Sequence, residues 1–433
     1  MNPAYHSYNL IKIRQAIPAL LQTHHCHPVI YLNGPGGTQV PRCVPEAMSH
    51  YLLETNSNLG APFSASIKTG KIMEEARRAA AAFFNARDWR EISFGQNMTS
   101  VVFNFSRALS NTWQPGDNII LTELDHDSNV SPWVMAAREK GVEIRYWPVN
   151  LEGMTLDLED LEPLLDSRTR LLAVTMASNL VGSIINIKEA VRIAKQVEAH
   201  VFIDVTHACA HLSIDVQELG CDSMACSAYK FSGPHLGILY GRLEVMQLIP
   251  AYKVPHAADL CPSKWEQGTQ NFEALAGLVA ILKYKAGMAG NGDLTTANLH
   301  AAMQMIFNYE RKLIQRFLEG LSSFPALAEW DRYGLFNVGT DVNARTPTFS
   351  FRIPGQTPEE TTRWFAEEGV FTASGHFHCS GVINKLGLDE LGGVWRLGFA
   401  YYTTIEEIDR LLEKMNQYAQ SARVLNSTCI LTQ

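Results

Sequence analysis

VFIDVTHACAHLSIDVQELGCDSMACSAYKFSG, residues 201–233, opens with a short apolar strand that ends in Asp204. It closes with a second apolar strand, 223–226, followed at once by Ser227, Ala228, Tyr229 and Lys230. An acid and a lysine thus sit just past the carboxyl ends of two strands, the place where open α/β sheets hold their ligands.

Read alone, Asp204 could cap the helix that follows it, and Lys230 could be a solvated surface lysine. The alternative is chemical. An amine and a carboxylate delivered to one crevice match the needs of pyridoxal 5'-phosphate (PLP): the lysine forms a Schiff base, and the acid keeps the pyridine nitrogen protonated. The residues on either side bear on the choice.

Upstream, short apolar runs alternate with helical periodicity. Strands are expected at 29–32, 91–94, 118–122, 143–147 and 171–175, and helices at 8–22, 71–86, 157–165 and 187–198. Several strands exit into polar turns. Gly95-Gln96-Asn97-Met98-Thr99-Ser100 opens a helix carrying Val101, Phe105 and Leu109, and free N–H groups at a helix start form an anion site. The strand at 118–122 runs into His126, which could stack on an aromatic cofactor or merely cap the next helix, and 171–175 runs into Asn179. Repeated βα units imply a mostly parallel sheet flanked by helices. The turn Asn33-Gly34-Pro35-Gly36-Gly37 is tight and bare, but it is not GxGxxG, and the acid and helix of a dinucleotide site do not follow it.

Downstream, 237–240 reads as one more strand, 272–284 as an apolar helix and 294–321 as a long helix with mixed faces. The rhythm then changes to a strand at 348–352, a helix at 357–368, the loop FTASGHFHCSG (371–381) and a strand at 394–400 containing Arg396. Thr404 with Glu407 forms a capping box for the last helix. We therefore expect a large domain over 25–290 and a small α+β domain over 291–433, with the N-terminal helix (1–24) packed on the small one.

Composition excludes several classes. With 46% apolar and 18% charged residues over 433 positions, the chain is an ordinary globular one, long enough for two cores. The net charge of −8, with no basic stripe, argues against nucleic acid and anionic membrane as partners. No run of about 18 apolar residues suggests a membrane span. Eight scattered cysteines without a scaffold rhythm, and an N-terminus lacking a signal-peptide core, point to a soluble cytoplasmic protein. The HHCHP run at 24–28 invites a metal reading, but adjacent side chains do not readily converge on one tetrahedral shell, so we expect a polar connection and no metal.

In combination these motifs resemble the class V aminotransferases, which are fold-type I PLP enzymes, and within them the cysteine desulfurase-like branch. The resemblance runs from about residue 31 to 412 and rests on Asp204-x-x-His207, on Ser227-x-Tyr229-Lys230 where the family has S-x-H-K, and on Arg396-x-Gly398-x-x-Tyr401-x-Thr403. It implies Lys230 as the Schiff-base lysine, Asp204 as the partner of the ring nitrogen, His126 stacked on the ring and His207 near the ring hydroxyl. Asn179 would reach ring or substrate. Asn97, Met98, Thr99 and Ser227 would hold the phosphate, together with Thr269 from the second subunit of a homodimer. Arg396 would clamp the carboxylate of an amino-acid substrate.

A desulfurase also carries a nucleophilic cysteine on a mobile loop, three residues after a glycine and shortly after an arginine. Here Cys379 comes four residues after Gly375, and Thr372 and Ala373 stand in the arginine's place. Cys379 is thus a candidate nucleophile out of register. The resemblance leaves open desulfuration (with a sulfur-acceptor protein), Cβ–S lysis, transamination or epimerisation, and a PLP-binding protein without turnover.

Overall fold

The computed structural model describes residues 8–337 and 341–430. Apolar runs too short for helices pair at the centre of the molecule. β1 (Ile92–Gly95), β2 (Asn118–Thr122), β3 (Glu143–Trp147), β4 (Thr169–Thr175), β5 (His200–Asp204), β6 (Ser223–Ser227) and β7 (Gly237–Gly241) form one sheet in the order β1-β7-β6-β5-β4-β2-β3. Only β7 is antiparallel to its neighbours. Six strands therefore point one way, and their carboxyl ends share one edge. β5, β6 and β7 are buried along almost their whole length, as expected of strands covered on both faces.

Five helices explain how the rest of the chain meets this sheet. α1 (Leu10–Gln15) stops well short of the expected 8–22, because the segment at Pro18 turns into a 3₁₀ helix. α2 (Cys43–Glu54) and α3 (Ser64–Phe84) pack against α5 (Phe272–Ala289). α4 (Met98–Leu109) begins beside β7 with Asn97 as its N-cap, the Asn97 side chain accepting from the Ser100 N–H at 2.9 Å. Gly237 permits this approach, since a Cβ there would lie 2.6 Å from the Asn97 carbonyl.

A second sheet, antiparallel throughout, contains β8 (Asp331–Tyr333), β9 (Thr348–Arg352), β10 (Ala373–Gly375) and β11 (Val394–Gly398) in the order β8-β9-β11-β10. Its core gathers Phe317, Phe349, Trp395 and Leu411, and also Ile30 and Leu32 from the start of the chain. Residues 30–31 pair in parallel with 370–371, so a segment before the first large-sheet strand belongs with the small sheet.

One detail goes beyond the sequence expectation. α6 (Thr296–Ser323), beside which the domain boundary is expected, places Leu299, Met303 and Ile306 in the large core and Leu313, Phe317 and Leu321 in the small one, so a single helix bridges both cores. The N-terminal segment touches residues of the expected small domain, with Tyr8 stacked on Tyr309 at 4.2 Å and Arg14 donating to the Tyr402 carbonyl at 2.8 Å, while Ile13, Ile17 and Leu20 join the larger core. Only Arg14 reaches the last helix, α7 (Ile405–Ile430), through Glu407 at 2.8 Å. Residues 1–7 and 431–433 of the expected boundaries lie outside the described residues. The HHCHP run folds as a small hairpin, with His25 and Cys26 at φ 46° and 65° in its turn. Among the described residues no helix is long and apolar enough to cross a membrane.

Candidate active site

The strand edge opens into a cavity of about 280 Å³. β6 ends at Ser227 and turns through a 3₁₀ segment, Ala228–Phe231, that closes with Ser232 in the left-handed region at φ 71°. Thr38, from the Gly-Pro-Gly-Gly turn, fixes this bend: its hydroxyl accepts from the Ser232 N–H at 2.7 Å and lies 3.1 Å from the carbonyls of both Tyr229 and Lys230. Lys230 is thereby aimed into the cavity, where its ammonium donates to the Pro35 carbonyl. Burial, followed by the Arg396 charge, lowers the Lys230 pKa to about 7, while Asp204 opposes the shift.

Asp204 ends β5 on the cavity wall, 4% exposed, and accepts from the Thr206 N–H at 2.8 Å. Burial raises its pKa; the Thr206 bonds and Lys230 pull the other way. A buried carboxyl with one backbone donor and a distant amine is poised to ionise when a cation is placed before it. Behind it Asp125, held by the Thr122 hydroxyl, the Asn129 amide (2.6 Å) and the Thr175 N–H (3.0 Å), is pushed up to about 7, chiefly by burial.

His126 lines the same cavity. Its Nδ1 accepts from the Ser128 N–H at 3.0 Å, which leaves the remaining proton on Nε2. Burial, then His378 and Lys230, lower its pKa to about 4, so the ring is neutral and suited to stacking. His207 also faces the cavity, but its Nε2 is within 2.9 Å of the Thr346 hydroxyl and 3.1 Å of that of Thr348.

At the mouth of α4, Met98 and Thr99 line the cavity with Ser128 and Ser227. The Met98 N–H donates to the Ser227 hydroxyl at 2.9 Å, and the Thr99 and Ser128 hydroxyls are 2.7 Å apart. Hydroxyls clustered at the start of a 12-residue helix suit a phosphate dianion. Asn97 is not among the lining residues, because its side chain is spent on the cap. Ser128 was missed in the sequence; its signal was its place two residues after His126 at a strand exit. Thr269 is exposed in a separate depression with Gln96, His235 and Gln270, away from this cavity.

Arg396 projects from the middle of β11, 3% exposed. It donates to the Asn179 carbonyl at 2.8 Å and to the Asn33 side-chain oxygen at 3.4 Å, and its guanidinium lies 3.6 Å from the centre of the Phe377 ring. Its buried Nε has no partner, and among the described residues no carboxylate pairs with it. Burial lowers its pKa to about 9. An unpaired buried guanidinium on a cavity wall is a receptor for a carboxylate.

The 371–381 loop departs from the mobile-nucleophile expectation. Cys379 is fully buried, packs in the large core and does not line the cavity; its thiol donates to the Asn179 side-chain oxygen at 3.1 Å. Burial pushes its pKa up to about 12. Asn179 lines the cavity, yet its amide braces this loop, donating to the Phe377 carbonyl at 3.1 Å. Phe377 and His378 line the cavity instead, both in the left-handed region at φ 53° and 54°. At pH 8 a thiol of that pKa is thiolate to only about 10⁻⁴. Iodoacetamide should therefore alkylate exposed Cys26 and leave Cys379 unmodified until the protein is denatured, as read by peptide mapping. Early labelling of Cys379 would mean that the loop opens.

These residues fit PLP: an amine with a lowered pKa, a buried acid, a neutral imidazole and a hydroxyl-lined helix start converge on one cavity. The family model for class V aminotransferases matches residues 30–411. The chain is 32% identical over 417 residues to an aminotransferase-like protein of Gibberella zeae, covering 94% of this chain and 97% of the relative. It is 30% identical over 427 residues to a cysteine desulfurase of Pectobacterium carotovorum, with the same two coverages. Among solved structures, a cysteine desulfurase from Thermococcus onnurineus superimposes with a TM-score of 0.83 at 26% identity, covering 95% of this chain and 98% of that one. The chain belongs to the class V aminotransferase family and is, with that family, a PLP-dependent enzyme.

Proposed function

We propose that the protein is a cysteine desulfurase-like enzyme that releases sulfur from a small α-amino acid, L-cysteine being the substrate the relatives favour. The observation that carries this reading is the unpaired, buried Arg396 on the wall of the cavity that Lys230 enters. When bound, PLP withdraws electrons from the substrate's α-carbon. The chain's own residues do the rest. Arg396 binds the α-carboxylate through two parallel donors and so fixes the α-carbon within reach of Lys230. Lys230, with its pKa near 7, is free to take a proton from that carbon and to return it. Asp204 would hold positive charge at the nitrogen of the bound cofactor's ring, and neutral His126 would be available to stack on that ring. Thr99, Ser128 and Ser227 would hold the phosphate, and Phe377 helps keep water off the guanidinium.

Free cysteines throughout the described residues support a reducing, cytoplasmic setting. The outward position of Thr269, remote from its own cavity, supports a homodimer in which that residue serves the partner's phosphate. Purified protein loaded with PLP should release sulfide from L-cysteine in the presence of a reductant and release none from cysteamine, which lacks the carboxylate. Equal sulfide from both would remove Arg396 from substrate binding. No sulfide from either, with the cofactor bound, would move the activity to transamination or epimerisation.

A further inference from the structure

We propose that His378 is the acid–base residue that faces the substrate's side chain, and that sulfur therefore leaves as hydrogen sulfide by elimination rather than passing to Cys379. This rests on the desulfurase-like reading above and concerns the fate of the sulfur alone.

The titratable side chains lining the cavity are Asp204, Lys230, His126, His207, Tyr229, Arg396 and His378, of which five have neighbours of their own and a sixth, Arg396, is the carboxylate receptor. Asp204 is bonded to Thr206, and Lys230 reaches Pro35. His126 is locked by Ser128, and His207 by Thr346 and Thr348. Tyr229 is stacked on His235 at 4.9 Å, and Arg396 waits for a carboxylate. His378 is the remaining imidazole of the lining: it is exposed, and neither of its ring nitrogens makes a hydrogen bond to the described residues. Its ring centre lies 5.2 Å from that of His126, so the two imidazoles border the same part of the cavity.

The backbone holds it there. The His378 carbonyl accepts from the Asp127 N–H at 2.6 Å, and the Asp127 carboxylate accepts from the Ser380 hydroxyl at 2.7 Å and the Ser380 N–H at 3.3 Å. Asn179 ties down Phe377 and Cys379 on the other side. Left-handed backbone at two consecutive non-glycine residues persists only where the surroundings impose it. The loop thus presents His378 to the cavity and turns Cys379 into the core, and His378 is the residue three positions after Gly375.

The step balances without an oxidant or a thiol acceptor. Lys230 removes the α-proton, and the Cβ–S bond breaks with its electron pair going to sulfur. Protonated His378 gives its proton to that sulfur, and hydrogen sulfide leaves. The unsaturated amino acid left behind takes up water and yields pyruvate and ammonia. His378 regains its proton from solvent, and no sulfur-acceptor protein is needed.

The test is to incubate the PLP-loaded protein with L-cysteine and a reductant, then quantify pyruvate, alanine and sulfide. Pyruvate and sulfide in equal amounts are expected, with the product unchanged in Cys379→Ala. His378→Gln should lower pyruvate formation about 100-fold, while the visible band of the bound cofactor and the melting temperature stay put. A second readout needs no turnover: on the cofactor-free protein, diethyl pyrocarbonate should modify His378 before His126 or His207, as mapped by mass spectrometry. Alanine in place of pyruvate, undiminished pyruvate in His378→Gln, or a His378 that resists the reagent each overturns the proposal while leaving the desulfurase-like reading in place. If neither product forms, that reading fails and the proposal with it.

Discussion

Lys230→Ala is expected to abolish the visible absorbance of a lysine-linked cofactor and to lower turnover by about 10⁴-fold or more, because one amine serves as both attachment point and proton carrier. Several hydroxyl donors and the buried acid are untouched by the change, so PLP should still bind, though it will dialyse away. The wild-type amine is the nucleophile only when it is unprotonated. With its pKa lowered to about 7, the rate at which the cofactor-free protein takes up PLP should rise with pH through about 7 and level off above it. An unshifted lysine would still be climbing at pH 9. An unchanged visible spectrum in Lys230→Ala would remove the lysine from the site altogether.

Why Lys230 and Asp204 could be read from sequence, while the state of Cys379 could not, follows from what fixes each. Asp204 and Lys230 are placed by local rules: an apolar strand ends, the next residue is at the sheet edge, and parallel neighbours bring two such edges together. His126, Asn179 and Thr99 obey the same rule, and all line the cavity. Cys379 depends on a loop path set by Asp127 and Asn179, about 250 and 200 residues away in sequence, and on two left-handed residues that no local propensity favours. One residue of register there exchanges a buried thiol for an exposed imidazole. The bridging role of α6 was hidden for another reason. Its apolar periodicity is continuous, and nothing in a helical stripe says that its two halves face different cores.

The cavity carries more positive than negative charge of its own. Among the described residues lining it, Lys230 and Arg396 face the single carboxyl of Asp204, and Asp125 behind it is pushed up to about 7. On the proposed reading a phosphate dianion and a substrate carboxylate would supply the missing negative charge, and the site would be electrostatically complete only with both present.

The stability of the protein should register that incompleteness at Arg396. A guanidinium taken out of water without an anionic partner costs several kcal/mol, and here the Asn179 carbonyl, the Asn33 amide oxygen and the Phe377 ring compensate only in part. Arg396→Met replaces it with an apolar chain of similar length that fits beside Phe377 and needs no partner. We expect this variant to melt a few degrees higher than the wild type without substrate, in keeping with the roughly 1–4 kcal/mol gained when unneeded buried charge is removed. The same variant should lose about 10²- to 10³-fold in kcat/KM, the loss expected when one half of a buried, hydrogen-bonded ion pair is deleted. Glycine, which offers a carboxylate and no side chain, should raise the melting temperature of the wild type and leave that of Arg396→Met unmoved. Arg396→Lys keeps the charge but not the planar fork whose two parallel donors meet both oxygens of a carboxylate, so it should recover little of the lost activity. If Arg396→Met instead melts lower and turns over normally, the arginine is a strut joining residues 33 and 179, and the carboxylate must be held elsewhere.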